Sequence, residues 1–262
     1  GRWPTGHPDE ARDAITGCID EAVAGDASLR AIGIAAFGPL IVDPASPDYG
    51  RMLATPKPGW SGSNLRRALA DRFAVPVHVD TDVNIAAIAE QALGAGRGLR
   101  SVAYVTVGTG IGGGLAIEGR SLKGALHPEI GHIRLVRRVG DEMPSACPFH
   151  PDCAEGLIAG PALHRRLGAD GDLVRSPAAM ALVADYLGQL CAALVLAWTP
   201  QRIVIGGGIG SVPGLLPPAH AAMLASLGGY GIGDAAHMPD FLAPARLADA
   251  GLEGAMLLAR HI

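Results

Sequence analysis

No uninterrupted apolar run in this chain reaches the length of a membrane span. The longest candidate, residues 178–198, is broken by Asp185, Gly188 and Gln189 and reads as a buried helix, so no membrane partner is expected. There is also no basic segment followed by an apolar core near the start, and the expectation is a protein that is not exported. Arginines are scattered without a basic stripe and the formal net charge is −4, which argues against a nucleic-acid partner. Cysteine is scarce, with 4 in 262 residues, and only Cys147 and Cys153 are close together. That density excludes a disulfide-stapled secreted scaffold and points to a reducing cytoplasm. Cys18 and Cys191 fall on apolar faces of predicted helices and are expected in the core.

What the chain does have is an alanine- and glycine-rich scaffold. Hydrophobic residues make up 49% and charged residues 18%, the balance of a globular chain able to bury one large or two smaller cores. Helical spacing predicts helices over 8–24, 61–73, 82–92, 177–198, 214–227 and 251–260. Apolar runs predict strands over 29–37, 75–80, 101–107 and 202–205, and the glycine turn 108–114 is expected to return as a strand at 115–118. Residues 43–60, rich in Pro, Gly and Asp, are expected to form a strand pair with loops. Strands alternating with helices indicate an α/β protein, and the restart after the glycines at 94–98 suggests two lobes.

Gly108-Thr109-Gly110-Ile111-Gly112-Gly113-Gly114 formally matches G-x-G-x-x-G. A dinucleotide fold needs a helix directly afterwards, and the residues that follow have strand character. Two readings stay open: a hairpin whose bare N–H groups and Thr109 hydroxyl grip phosphate, or an ordinary glycine-rich hairpin. Gly206-Gly207-Gly208 follows a strand and precedes a helix, where it suits a flat ligand, a phosphate or a tight turn. Thr81 and Asp82 sit where a strand gives way to a helix. They serve either as helix caps or, for one carboxylate, as a general base toward an alcohol attacking a phosphoryl group.

The densest chemistry lies in His127-Pro-Glu129-Ile-Gly-His132 and Cys147-Pro-Phe-His150-Pro-Asp-Cys153-Ala-Glu155. Cys147, His150 and Cys153 have metal-site spacing, and His132, expected on the preceding strand, supplies a fourth ligand. Two thiolates and two imidazoles suit a closed, structural, tetrahedral zinc. A Cys147–Cys153 disulfide or two free thiols are the alternatives. A carboxylate two residues beyond a zinc cysteine is held rigidly, as a ligand contact needs to be, with plain surface solvation as the alternative for Glu155 and for Glu129.

Together with Phe37-Gly38-Pro39, Ala54-Thr55-Pro56-Lys57-Pro58-Gly59-Trp60 and Thr81-Asp82-Val83-Asn84, these motifs resemble the bacterial ROK family of sugar kinases, its fructokinases above all. The resemblance implies an α/β, actin-like ATPase (ribonuclease H-like) fold, with two lobes and a cleft between them. The lobes are expected over 1–97, with the helix 251–262 packing back on it, and over 98–250, carrying a zinc-binding loop at 132–153. It implies ATP-dependent phosphorylation of a hexose, most simply D-fructose to fructose 6-phosphate, with glucose, mannose or N-acetylmannosamine as rival substrates. A repressor-like or non-catalytic sugar-binding member is a further rival.

Carried over residue by residue, Asp82 resembles the catalytic base, and Gly38, Pro39, Thr81, Glu129, His132 and Glu155 resemble the sugar-binding residues. Gly108, Thr109 and Gly110 resemble the second phosphate loop, and Gly206, Gly207 and Gly208 the adenosine loop. His132, Cys147, His150 and Cys153 would hold zinc, Mg2+ would come with ATP, and a homodimer is implied by analogy. Many members carry Asn where this chain has Thr81. The family also opens with a glycine-rich hairpin bearing an Asp-x-Gly-Gly-Thr-like phosphate loop, whereas this chain begins Gly1-Arg2-Trp3-Pro4, so a truncation of a longer enzyme is expected.

Overall fold

The computed structural model describes residues 1, 3–25, 28–169, 171–230 and 234–260. In chain order the elements are α1 (Pro8–Ala24), β1 (Ile32–Ala36), α2 (Leu65–Phe73), β2 (Val77–Thr81), α3 (Asp82–Ala92), β3 (Ser101–Val107), β4 (Ile111–Ile117) and β5 (Arg120–Ser121). They continue with α4 (Ala154–Ile158), α5 (Gly160–Leu167), α6 (Pro177–Trp198), β6 (Arg202–Gly206), α7 (Leu216–Leu227), β7 (Leu242–Pro244) and α8 (Ala250–Arg260). The described chain divides into two compact units. The first holds Gly1–Ala86, Lys123–His127 and Asp249–Ile262, and the second Ala87–Leu122 and Pro128–Ala248.

In the first unit β1 and β2 run parallel, with Ile32 opposite Val77 and Ala36 opposite Thr81. Helix α8 packs on β1. Leu40, Val42, Tyr49, Met52, Trp60 and Val79 form the core, with Phe37 set edge-on to Trp60 at 5.0 Å. The Tyr49 hydroxyl accepts from the Val79 N–H (2.8 Å) and donates to the Val79 carbonyl (2.9 Å). One phenol thus satisfies both backbone groups that Val79 turns away from β1.

The expected strand pair at 43–60 is not there; the segment is turns with a single antiparallel bridge, Leu40 to Met52. Pro44, Pro47, Pro56 and Pro58 have no N–H to give a ladder. Cys18 also departs from expectation, because it is exposed. Helix α1 buries Ala11 alone, so the apolar face read from its periodicity is largely left at the surface.

The second unit is built on a five-stranded sheet ordered β5-β4-β3-β6-β7. Strands β3 and β4 form an antiparallel hairpin, while β3, β6 and β7 run parallel. Helix α6 is the core helix, with Val183, Tyr186, Leu187, Leu190, Cys191 and Leu194 all buried. Each such leucine is worth roughly 1.5–3 kcal/mol of burial. Pro177 starts the helix, and a left-handed Thr199 (φ 45°) ends it one residue before Pro200. The buried Glu90 carboxylate accepts three backbone N–H groups, from Ala95 (2.7 Å), Arg246 (2.9 Å) and Leu247 (2.9 Å). It thereby satisfies loop amides that no strand reaches.

The glycine turn is shorter than expected. Gly112, Gly113 and Gly114 belong to β4, paired with Thr106, Val105 and Tyr104. A Cβ on Gly113 would lie 2.4 Å from Ile130 Cδ1 and 2.8 Å from the Tyr104 carbonyl. Packing, not turn formation, demands that glycine.

Candidate functional site

In a parallel sheet, loops that follow neighbouring strands emerge at the same edge, the edge where ligands bind in open α/β sheets. In the first unit this places Gly38 and Pro39, just past β1, near Thr81 and Asp82 at the end of β2, since Ala36 and Thr81 are paired. Leu40 beyond them donates its N–H to Nε2 of the buried His127 at 3.2 Å. Thr81 is buried, and its hydroxyl accepts the Asn84 N–H at 3.2 Å, capping α3. Asp80, 1% exposed, accepts from the Thr81 N–H (2.8 Å) and the Asn84 amide (2.7 Å) and pairs with Lys123 (3.3 Å).

Asp82 is different. Its side chain has an exposed edge and accepts a local N–H, from Val83 at 2.9 Å. Desolvation by the atoms packed around the rest of it raises its carboxyl above the ordinary range; the Val83 N–H and the charge of Lys57 oppose the rise without cancelling it. A carboxylate both accessible and more basic than usual is equipped to take a proton from an alcohol.

In the second unit His132, Cys147, His150 and Cys153 bring their ligating atoms within 4.8 Å of one another. Cys147 Sγ lies 3.8 Å from His132 Nδ1 and 3.7 Å from His150 Nδ1, and Cys153 Sγ lies 3.8 Å from His132 Nδ1. Ligand bonds of about 2.3 Å to sulfur and 2.0 Å to nitrogen, at tetrahedral angles, set such edges near 3.5 Å. Both cysteines are free thiols. The four donors therefore fit one tetrahedral divalent cation and leave no fifth position for substrate. Burial pushes the Cys153 thiol up to about 11, so a cation binding here must displace its proton.

His132 lies not on a strand, as expected, but at the end of a 3-10 turn, Ile130–His132, with Glu129 at its start. That turn lies against the hairpin: a Cβ on Gly131 would sit 2.1 Å from the Ile111 carbonyl, which accounts for the glycine inside the His-Pro-Glu-Ile-Gly-His motif. Cys153 pairs across a bridge with Arg134 and caps α4, its Sγ accepting the Gly156 N–H at 3.4 Å. Glu155 stands in the first turn of α4, and its Oε2 accepts the Ile111 N–H at 3.0 Å.

Strands β3 and β6 are parallel with Thr106 opposite Gly206, so both glycine clusters emerge at one edge. Gly108, Thr109 and Gly208 line a cavity of about 660 Å³, joined by Ile209 and, from α5, Gly160, Pro161, His164 and Arg165. Gly206, Gly207 and Gly110 are not part of that lining; Gly206 packs against Tyr104, Gly207 against Thr106 and Val107, and Gly110 against Glu155.

With that geometry in place, the ROK family profile matches residues 2–262. The chain belongs to the ROK family. It is 38% identical over 234 residues to a fructokinase of Pediococcus pentosaceus, covering 88% of this chain and 81% of that one. A fructokinase of Zymomonas mobilis subsp. mobilis is 39% identical over 220 residues, covering 82% and 73%. Among solved structures, the ROK hexokinase of Thermus thermophilus matches with a TM-score of 0.77 at 31% identity, over 98% of this chain and 88% of that one. A ROK family glucokinase from Streptomyces griseus, in complex with glucose and AMPPNP, gives 0.72 at 27% identity, over 98% and 89%. The fold of this ROK protein is the α/β, actin-like ATPase fold.

Sequence reasoning missed the α5 wall of the cavity in this ROK protein. Gly160-Pro161 reads as loop punctuation, yet proline is at home in a first helical turn, and that signal could have placed a helix start there. Missed too was the polar network bracing the loop that carries the four candidate metal ligands. Arg166 grips the Asp141 carboxylate with two bonds of 2.8 Å, the Tyr186 hydroxyl donates to it at 2.6 Å, and Arg137 stands 3.7 Å away. Arg137 also donates to the carbonyls of Asp141, Met143 and Pro151.

The hydrogen bonds from Arg166, with Tyr186 assisting, hold the Asp141 carboxyl down to about 2 although its side chain is only 4% exposed. A depressed folded pKa contributes stability that is present above the unfolded value near 4 and lost as pH falls through 2. Asp141→Asn is therefore expected to cost on the order of 2 kcal/mol at pH 7, with the gap to wild type narrowing between pH 4 and pH 2. Urea unfolding of both proteins across that range checks it; a gap independent of pH would contradict it.

Proposed function

We propose that this chain is an ATP-dependent hexose kinase that phosphorylates the 6-hydroxyl of D-fructose. The observation that carries the reading is Asp82: an accessible carboxylate with a raised pKa at a strand's C-terminal edge, in a ROK chain 38% identical to a fructokinase.

In this reading Asp82 accepts the proton of the 6-hydroxyl as its oxygen bonds to the γ-phosphorus of ATP and the bond to the β–γ bridging oxygen breaks, releasing ADP. The proton on Asp82 then passes to solvent. Backbone N–H groups of Thr109 and Gly110 in the turn, and the cavity beside Gly208 and Pro161, receive the nucleotide. Mg2+ arriving with ATP would neutralise phosphate charge.

His132, Cys147, His150 and Cys153 would hold a structural zinc, since two thiolates and two imidazoles suit that ion and close its coordination. With His132 turning Nδ1 to the metal site, its Nε2 is the ring nitrogen that meets a sugar hydroxyl. Glu129 and Glu155, rooted in the same loop system, are the carboxylates that accept from further hydroxyls. Gly38, Pro39 and Thr81 shape the sugar's surroundings at the β1 and β2 edge.

A glucose-preferring enzyme is the second reading, favoured by the likeness to the glucokinase in complex with glucose and AMPPNP. ADP release measured with fructose, glucose, mannose and N-acetylmannosamine tests both. The expected result is a kcat/KM for fructose at least about tenfold above the others, the scale on which a pocket separates closely related substrates. Preference for another hexose would overturn the fructose assignment, and no turnover with any of them would overturn the kinase.

A further inference from the structure

The turn at Gly108–Gly110 is held from three directions. Within the turn, the Gly108 N–H donates to the Gly110 carbonyl (3.0 Å). The first residue of α5, Gly160, donates its N–H to the Gly108 carbonyl (2.8 Å). The third hold comes from a side chain: the Ile111 N–H donates to Glu155 Oε2 at 3.0 Å. The carboxylate lies flush against the turn, for a Cβ added to Gly110 would come within 2.8 Å of that same oxygen.

Glu155 is itself fixed from behind. Its helix is capped by the Cys153 sulfur, and the Ala154 N–H is tied to the Ile133 carbonyl at 3.0 Å. A rigid line of covalent and hydrogen bonds thus runs from the metal-ligand loop, through one carboxylate, to the backbone proposed to receive phosphate.

We propose that Glu155 is the positioning residue of the phosphate turn, and that it couples hexose binding to nucleotide binding. The proposal rests on the kinase reading and deepens it. A carboxylate has two oxygens. With Oε2 on the Ile111 amide, a hexose hydroxyl donating to Oε1 locks the group in one orientation and with it the turn. A pre-ordered turn loses less entropy when phosphates arrive. Linkage makes the effect reciprocal: nucleotide on the turn tightens the hexose by the same factor.

The test is calorimetric titration of MgAMPPNP into wild type, Glu155→Gln, Glu155→Ala and Gly110→Ala, each with and without the hexose that gives turnover. In wild type the hexose is expected to tighten the nucleotide by about fivefold or more, the lower end of usual coupling. Loss of one charge-assisted bond in Glu155→Ala should weaken the nucleotide about tenfold without hexose present and bring the coupling to about one.

Glu155→Gln keeps an oxygen for the Ile111 N–H, so its nucleotide affinity should return to within about threefold of wild type. Its hexose affinity should stay reduced. Gly110→Ala, whose methyl displaces the carboxylate, should copy the nucleotide defect of Glu155→Ala. Wild type that binds no nucleotide would overturn the kinase reading itself. Normal nucleotide affinity in both Glu155→Ala and Gly110→Ala would overturn the positioning role, and a coupling factor that survives Glu155→Ala would overturn the link.

Discussion

Asp82→Asn is expected to lower kcat by about a thousandfold, within the range supplied by a positioned general base, while leaving nucleotide and hexose affinities near those of wild type. The reason lies in what the substitution keeps. Asn has the same shape and still offers an oxygen to the Val83 N–H, so the start of α3 is undisturbed. It cannot take a proton. The pH profile supplies an independent check. Since desolvation raises the Asp82 carboxyl, wild-type kcat/KM should fall as pH drops through a value above the ordinary carboxylate range, and Asp82→Asn should lose that limb. The same shift has a stability consequence of opposite sign to that at Asp141. A carboxylate whose folded pKa is raised disfavours the folded state once it ionises, so Asp82→Asn should not lower Tm at pH 7. A variant that retained most of its kcat would remove Asp82 from the chemistry; one that lost kcat and Tm together would make it a structural cap.

The second large effect is expected at the metal-ligand loop. Removing the cation with a chelator, or replacing Cys147 by Ala, should cost several kcal/mol and lower Tm by roughly 10 °C. The loss should stop short of unfolding, because the loop has other ties: Arg137 to three carbonyls, Arg166 to Asp141, and Arg134 to Asp152 at 2.6 Å. Hexose KM should rise more than ATP KM, since His132 serves both metal and sugar in the proposed scheme. Elemental analysis of the purified protein should find one zinc per chain, and cobalt exchanged into the site should give the spectrum of a tetrahedral two-thiolate centre. A protein that contains no metal, and whose Tm ignores both chelator and added zinc, would contradict the assignment.

Much of this architecture can be read directly from the residues. Helix α3 begins where expected, at Asp82, because the strand-to-helix change coincides with a capping threonine. The boundaries of α6 follow from Pro177 at one end and Pro200 beyond the other. The four candidate metal ligands converge as expected, with Cys147, His150 and Cys153 kept together by intervals of three residues and His132 brought to them by the fold. Where reading failed, packing had overruled propensity. Gly112–Gly114 read as turn residues, but the sheet pairs them as strand, and at Gly113 Ile130 and the Tyr104 carbonyl fill the space a side chain would occupy. Helices α4 and α5 were invisible behind Gly156, Gly160 and Pro161. The first is a single short turn held by a cysteine sulfur, and the second has no side-chain cap, so its start is marked by Pro161 alone. Asp141 gave no warning, since its partners Arg166 and Tyr186 lie far along the chain and meet it only through folding.

The phenol of Tyr49 bears on what this protein does in a crowded solution. A parallel pair as small as β1 and β2 has outer edges, and an open edge offers a template on which another chain can add a strand. At Val79 that template is already occupied: the donor and the acceptor an invading strand would need are both taken by one side chain. Tyr49 stands where a neighbouring strand would, without being one, and closes the outer edge of β2 to strand addition at that residue.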